Sequence, residues 1–241
     1  MMTTICLMML LSVGLLADDA SETEEQNGPL KTKQETSSED SDSPREESSQ
    51  SASKEELLER VENKLSEIET VQADFVQKKD MAMFTHTMVV KGSLAVRNPG
   101  RIAWHVTDPV KYSFVIKGTV LRQWDEDTDS VTKLKLDENP SFKPMFRQLS
   151  GWFAGRYGEV RQRYDVDVTG REPVTLLFTP KKDTDLEEII DHVEVVFRDD
   201  ERYIRELEVL QADGDKTTFR FHETALNEPI DEAVWDVRQS E

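Results

Sequence analysis

Apolar and polar residues alternate along most of the chain after Val71, which is the pattern of strands that bury one face. In the stretch Gly92–Pro109, two alternating runs flank Asn98-Pro99-Gly100, a tripeptide that favours a turn. The apolar positions of the two runs are Leu94, Val96, Ile102, Trp104 and Val106. This arrangement predicts an antiparallel hairpin with one apolar face.

Shorter runs of the same kind predict many further strands. Ala212-Asp213-Gly214 lies between two of them, and Asp-Gly between alternating runs is a strong hairpin signal. Strands at this spacing indicate a mainly β protein with a large antiparallel sheet, either a barrel or a sandwich. The further runs are Val71–Gln77, Val89–Val96, Tyr112–Ile116, Val120–Trp124, Val131–Leu136, Val174–Phe178, Val193–Phe197, Leu207–Val209 and Phe219–Phe221.

One amphipathic helix is predicted ahead of the strands. Ser53-Lys54-Glu55-Glu56 has the form of a capping box, so the helix is expected to begin there. An apolar stripe then recurs at spacings of four, four and three residues and is expected to face the core. The stripe consists of Leu57, Val61, Leu65 and Ile68.

A second helical pattern interrupts the strands between Asn139 and Tyr157, where one or two short helices are expected. Its apolar residues could form a plug that fills the core of the sheet. They could equally form a movable lid over an apolar cavity, a role that suits Met and Phe because these side chains repack easily. The residues concerned are Phe142, Met145, Phe146, Leu149, Trp152 and Phe153.

The first 53 residues differ in character from the rest. Residues Ile5–Ala17 form an apolar run too short to span a bilayer, and residues 1–17 are predicted to be a signal peptide for export. Residues 18–53 are acidic and serine-rich, and a disordered leader is expected there because little apolar surface is available for burial. If the apolar run is not cleaved, the leader becomes a membrane tether. The folded domain is then expected over residues 54–241.

Composition excludes several classes of function. The net charge is −19, which argues against binding to nucleic acid. Cys6 precedes the expected cleavage point, so thiol chemistry and disulfides are not expected in the mature protein. No nucleophile motif, phosphate loop or metal-ligand spacing occurs, so the sequence predicts a protein that is not an enzyme and uses neither metal nor cofactor.

Three motifs resemble the periplasmic outer-membrane lipoprotein carrier family. Ala73-Asp74-Phe75-Val76-Gln77 is similar to a motif that follows the family's first helix, Gly92–Pro109 resembles its central strands, and Phe178-Thr179-Pro180 resembles the end of a late strand. The resemblance extends over about Leu57 to Val237. It implies an unclosed, strongly curved antiparallel β-barrel with an N-terminal helix and an inserted helical lid.

The resemblance also implies a function and a site. A carrier of this family works in the periplasm, takes a lipoprotein from an inner-membrane transporter, shelters its acyl chains and delivers it to an outer-membrane acceptor. The residues expected to approach the acyl cavity are Phe75, Trp104, Phe142, Met145, Phe146, Leu149 and Phe153. In the family, an Arg directly before the Pro is thought to hold the lid closed; here that position is Asn98 and the Arg is Arg97, so both are latch candidates.

Two other functions remain open from the sequence. The same architecture could serve a lipid-sensing module that regulates a membrane protein of the envelope, and the acidic leader would suit such docking. It could also carry glycolipid or another lipid that is not attached to protein.

Overall fold

The computed structural model describes residues 44–83, 86–138, 151–152, 157–182, 184 and 186–238, and for residues 44–52 and 137 it describes the backbone alone. The predicted signal peptide and most of the predicted leader therefore lie outside the described residues. Within the described ranges, no helix is long and apolar enough to cross a membrane.

The described chain consists of one long helix, eleven strands and short helical turns. Helix α1 spans Pro44–Ser66, and the four-residue helix α2 spans Tyr157–Val160. Two 3-10 turns span Leu136–Glu138 and Glu232–Trp235. The strands are β1 (Thr70–Asp80), β2 (Thr87–Arg97), β3 (Arg101–Asp108), β4 (Tyr112–Lys117), β5 (Val120–Asp125), β6 (Ser130–Lys135), β7 (Tyr164–Arg171), β8 (Val174–Pro180), β9 (Ile190–Phe197), β10 (Ile204–Gln211) and β11 (Lys216–Leu226).

All eleven strands form one antiparallel sheet in the order β6-β5-β4-β3-β2-β1-β11-β10-β9-β8-β7. Strands that are neighbours in sequence pair with each other, except for β6 and β7. In addition, β1 pairs with β11, and this pair joins the two meanders β1–β6 and β7–β11 at the centre of the sheet. The sheet does not close, since β6 and β7 form its two edges. We call the end where β1 begins and β2 ends the α1 end, and the opposite end the far end.

One face of the sheet, the inner face, surrounds a single apolar core. The core takes buried side chains from α1 and from ten strands, with Leu134 of β6 packed against it. The rings of Trp104 on β3 and Phe219 on β11 lie 5.7 Å apart although β2 and β1 separate their strands, as expected of a concave face. The fold is thus the unclosed antiparallel barrel that the resemblance implies, rather than a sandwich.

The predicted hairpin within Gly92–Pro109 is confirmed. Strands β2 and β3 pair with Val96 opposite Ile102 and Leu94 opposite Trp104, so all four side chains share the inner face. Gly100 adopts a φ of +84°, a conformation that costs glycine little because it has no Cβ. The predicted Asp213-Gly214 turn between β10 and β11 is confirmed as well, with Gly214 at φ +89°.

The start of helix α1 differs from the prediction. The helix begins at Pro44, nine residues before Ser53, so Ser53 lies inside the helix and its Oγ accepts a hydrogen bond from Arg171. Helical residues already precede Ser53, so Ser53 does not cap the start of the helix.

Candidate functional site

The inner face carries a cluster of aromatic rings on its β1–β4 half. The ring centroids of Phe75 and Trp104 lie 4.0 Å apart, and Trp104 stacks on Phe114 at 6.1 Å. Phe219 meets Trp104 edge-on. The two cavity candidates on strands, Phe75 and Trp104, are therefore brought together and fully buried.

This cluster depends on Gly92, which lies opposite Phe75 on β2. A Cβ at this position would lie 2.0 Å from the carbonyl oxygen of His105 and 2.7 Å from Cζ of Phe75. Only a glycine leaves room for the ring of Phe75 to lie across β2 and reach Trp104.

A second aromatic cluster occupies the β7–β9 half of the inner face. Trp152, from the predicted helical insertion, meets Phe178 of β8 at 4.7 Å and packs edge-on against Tyr157 and Tyr164. Tyr157 also lies 5.7 Å from Phe197 of β9. Burial raises the pKa of Tyr157 well above its ordinary value, so this hydroxyl stays neutral at physiological pH.

Five cavity candidates, namely Phe142, Met145, Phe146, Leu149 and Phe153, lie outside the described residues. The residues on either side are informative. Leu136 follows β6, one edge of the sheet, while Trp152 precedes β7, the other edge, and both side chains are buried in the inner core. The predicted insertion thus connects the two open edges of the sheet, and both of its flanks reach the inner face.

Helix α1 is held over the β7–β10 half by polar contacts around its apolar stripe. Arg60 and Lys64 both bind the carboxylate of Glu201 at 2.9 Å, in the turn between β9 and β10. The hydrogen bond from Arg60 is the main reason that the pKa of Glu201 is lowered, and the bond from Lys64 adds to it. Arg161, after α2, binds Glu55 at 2.9 Å and Glu62 at 3.4 Å. The helix is thereby fixed to two separate loops.

The outer face of β2–β4 is covered by the C-terminal segment 230–237. Ala95 and Ala103 face each other across β2 and β3, and these small side chains leave space for the buried ring of Trp235. The guanidinium groups of Arg97 and Arg101 lie over that ring at 5.5 and 5.7 Å from its centroid.

His105 fixes the same segment from beneath. Its Nε2 lies 2.8 Å from the carbonyl oxygen of Val234 and its Nδ1 lies 2.9 Å from Oγ of Ser113. Because a carbonyl can only accept, Nε2 carries the hydrogen and Nδ1 of the neutral ring accepts from Ser113. Desolvation lowers the pKa of His105, and the bond to Val234 and the charge of Asp236 oppose that shift only in part.

The described residues thus form a concave apolar face with two aromatic clusters. Comparison with known proteins supplies the family: the model for the outer membrane lipoprotein carrier protein LolA matches residues 66–237. The chain belongs to the LolA family. The match begins at the last residue of α1 and ends in the C-terminal segment, so it contains the whole sheet.

Two curated relatives are similar over most of their length. The outer-membrane lipoprotein carrier protein of Azotobacter vinelandii is 26% identical over 191 residues, covering 78% of this chain and 86% of the relative. The protein of the same name from Pseudomonas entomophila is 28% identical over 173 residues, covering 71% of this chain and 78% of the relative.

Solved structures are also similar. A LolA superfamily protein from Nitrosomonas europaea aligns with a TM-score of 0.36 at 11% identity, over 73% of this chain and 96% of that protein. The MucA/MucB complex of Pseudomonas aeruginosa aligns with a TM-score of 0.45 at 16% identity, over 73% of this chain and 60% of that chain.

The two latch candidates of the LolA family resemblance have other contacts among the described residues. Arg97 donates to the carbonyl oxygen of Ile230 at 3.2 Å and to the carboxylate of Glu232 at 3.3 Å, both in the C-terminal segment on the outer face. Asn98 donates from Nδ2 to the carbonyl oxygen of Ile68 at 2.9 Å, just after α1. A contact of either residue with the lid stays a prediction, because most of the insertion lies outside the described residues.

Sequence reasoning missed the role of the C-terminal segment. It does not predict the contact of His105 with Val234, although Ile230, Val234 and Val237 signal an apolar segment after the last strand. The alternation on β3 does contain the signal for His105: it lies between two inward residues, Trp104 and Val106, and so must face outward.

The described ranges contain no group of three or more His, Cys, Asp or Glu side chains placed to hold a metal ion. The acidic pair Asp199-Asp200 forms ion pairs with Arg205 and Arg198 in a turn. What the arrangement offers chemically is a shaped apolar surface, which suits binding of aliphatic chains.

Proposed function

We propose that this protein is a periplasmic carrier that shelters the acyl chains of lipoproteins on the inner face of its sheet. It takes no part in a chemical reaction. The observation that carries the proposal is the single apolar core of the inner face, which takes side chains from ten strands of an unclosed sheet in a LolA-family chain. The relatives' names, outer-membrane lipoprotein carrier protein, support the same cargo.

Sheltering acyl chains from water brings a large gain in free energy. Each CH₂ moved from water to an apolar surface gains about 0.8 kcal/mol, so an acylated protein cannot cross an aqueous compartment unsheltered. A carrier must also release its cargo, which requires that the loaded and empty states differ little in free energy.

The family resemblance supports a proposed delivery route. The carrier receives its cargo from an inner-membrane transporter and delivers it to an outer-membrane acceptor. Residues 1–17 direct export, and residues 18–43 act as a spacer or, if the apolar run is retained, as a tether.

The insertion between β6 and β7 acts as the lid in this proposal. Its support is topological: the insertion joins the two edges of the open sheet, and Leu136 and Trp152 at its flanks are buried in the inner core. Movement of this segment would open part of the inner face to a ligand.

The first test is native mass spectrometry of the full chain purified from its own envelope, combined with lipid extraction. A co-purifying acylated protein is expected. A co-purifying lipid without protein would favour the glycolipid or lipid carrier, and stable recovery with one membrane protein without cargo exchange would favour the lipid-sensing module. An empty chain that also fails to bind a fluorescent acyl probe would overturn the proposal.

A matched pair of variants on β2 tests whether the inner face binds the acyl chains. Val90 is 6% exposed and faces inward opposite Gln77, whereas the neighbouring Val89 is 39% exposed and faces outward. Val90→Glu is expected to abolish binding of the acyl probe, because a charge would be buried against the ligand, and Val89→Glu is expected to bind normally. If Val90→Glu does not fold, Val90→Trp is tested in its place, because Trp fills the ligand space without adding charge. Unchanged binding in folded Val90 variants would contradict the assignment of the inner face.

A further inference from the structure

The inner face is not uniformly apolar along the strands. At the α1 end, the inward residues of the central strands are Val71, Val96 and Ile102, all buried. At the far end of the same face, three neighbouring strands bury polar side chains instead. These are Gln77 of β1, Thr217 of β11 and Gln211 of β10, which are 3, 5 and 9% exposed.

These three residues form one patch, which we call the polar band. Gln77 lies opposite Phe219 on β11, and Thr217 is the next inward residue of that strand. Val209 lies opposite Thr217, and Gln211 is the next inward residue of β10. Neighbouring strands lie about 4.8 Å apart, and two residues add about 7 Å along a strand. The three side chains therefore follow a diagonal about 10 Å across the strands and about 13 Å along them.

An ion pair borders the polar band. Nζ of Lys79 lies 3.4 Å from Asp215, and both side chains are less than one-fifth exposed. Asp215 also accepts from the backbone N–H of Ala82 at 2.9 Å, in the loop after β1. The charges next to the band are therefore paired with each other, and the band itself consists of neutral groups.

Polar groups inside an apolar core carry a cost that hydrogen bonds must offset, so a ligand that can bond to them suits this end of the face. A primary amide can donate to a carbonyl oxygen and accept from an N–H, and a hydroxyl can do both as well. Neutral groups of this kind suit ester and amide linkages, whereas a phosphate or free carboxylate would call for unpaired cations.

We propose that the polar band binds the ester or amide linkages of an acylated ligand, whose chains then point toward the aromatic clusters and the α1 end. This inference rests on the proposed function and adds to it an orientation and a ligand class: diacylglyceryl compounds rather than free fatty acids. The linkages lie at the far end, so a protein attached to them would leave the cavity there.

Two probes separate the linkage from the chain. One is a peptide with an N-terminal diacylglyceryl cysteine, and the other is a fluorescent alkyl probe of the same chain length without ester or amide groups. Gln77→Leu and Gln211→Leu are expected to weaken binding of the lipopeptide about three- to tenfold each, the ratio that one net hydrogen bond provides, and to leave the alkyl probe bound as before. The matched control is Gln72→Leu, since Gln72 lies on the same strand as Gln77 but donates to Pro229 on the outer side.

A spectroscopic readout tests the contact directly. With a ¹³C label in the ester carbonyls, the bound lipopeptide should show a carbonyl stretch shifted to lower frequency, and the shift should shrink in Gln77→Leu and Gln211→Leu. Equal affinity changes for both probes, or an unshifted carbonyl band in the wild type, would overturn this inference alone. Failure of the wild type to bind either probe would instead overturn the proposed function.

Discussion

Strand β4, the middle of β3 and the end of β2 nearest α1 bury both of their faces, and the two faces are built differently. The inner face carries large side chains, with Trp104 packed between Phe75 and Phe114. The outer face carries small ones, with Ala95 opposite Ala103, and the chain's own C-terminal segment fills the space above them.

From this difference we propose that the outer interface is permanent, whereas contacts on the inner face can be exchanged for a ligand. The outer cover is fixed by directional contacts, because His105 and Arg97 both bind backbone carbonyl oxygens of the segment. On the inner face, the buried residues Leu136 and Trp152 flank the predicted insertion between β6 and β7. We therefore expect ligand affinity to depend on the inner face and the free energy of unfolding to depend on the outer face.

Removal of the Trp235 ring gives the sharpest test of this division. Trp235 is 1% exposed in the outer cluster, so Trp235→Ala is expected to lower the free energy of unfolding by about 3–5 kcal/mol, measured by urea denaturation. Affinity for the acyl probe should stay within twofold of the wild type under conditions where the variant is folded. Trp124→Ala is the control, since Trp124 packs against the same cluster but is only partly buried and should cost less. Loss of acyl binding in folded Trp235→Ala would break the comparison.

Arg97 tests whether the outer face also controls the lid. Its contacts predict a structural role: Arg97→Ala removes one ion pair, one cation–π contact and the hydrogen bond to Ile230, and should cost about 1–2 kcal/mol of stability in the same urea assay. The rate of acyl-probe release should not change.

Arg101→Ala is the matched control, because Arg101 also contacts Glu232 and Trp235 but is not a latch candidate. Faster release from Arg97→Ala than from Arg101→Ala would show that Arg97 acts on the lid, as the family resemblance implies.

The sheet is largely predictable from the sequence because period-two alternation specifies one face at a time. The hairpin around Asn98-Pro99-Gly100 and the Asp213-Gly214 turn follow directly from it. The same alternation places Phe75 and Trp104 on apolar strand faces, and the curvature of the sheet brings their rings into contact. Pairing of β1 with β11 lies beyond this reasoning, since a contact between strands about 140 residues apart leaves no local pattern.

The parts that the sequence does not predict are those fixed by tertiary contacts. The C-terminal segment has no strand or helix period, and its place depends on the Ala95–Ala103 pair beneath Trp235. The polar band is hidden from the sequence for a related reason: Gln77 belongs to a recognisable motif, but Thr217 and Gln211 join it only through the register of β11 and β10.

Acid pH offers the smallest and most specific test of the outer face. Burial lowers the pKa of His105 below its ordinary value of 6.5, so the unfolded chain takes up this proton first as the pH falls. The stability linked to His105 is therefore fully present above pH 6.5 and decreases as the pH falls from there toward the lower pKa of the folded state.

Measured between pH 7.5 and pH 5.5, the urea midpoint of the wild type should decrease more than that of His105→Gln, whose amide can still donate to Val234 without titrating. His222→Gln, at an exposed position on β11, should behave as the wild type. Identical pH dependence in His105→Gln and the wild type would mean that the contact between His105 and the C-terminal segment does not respond to pH.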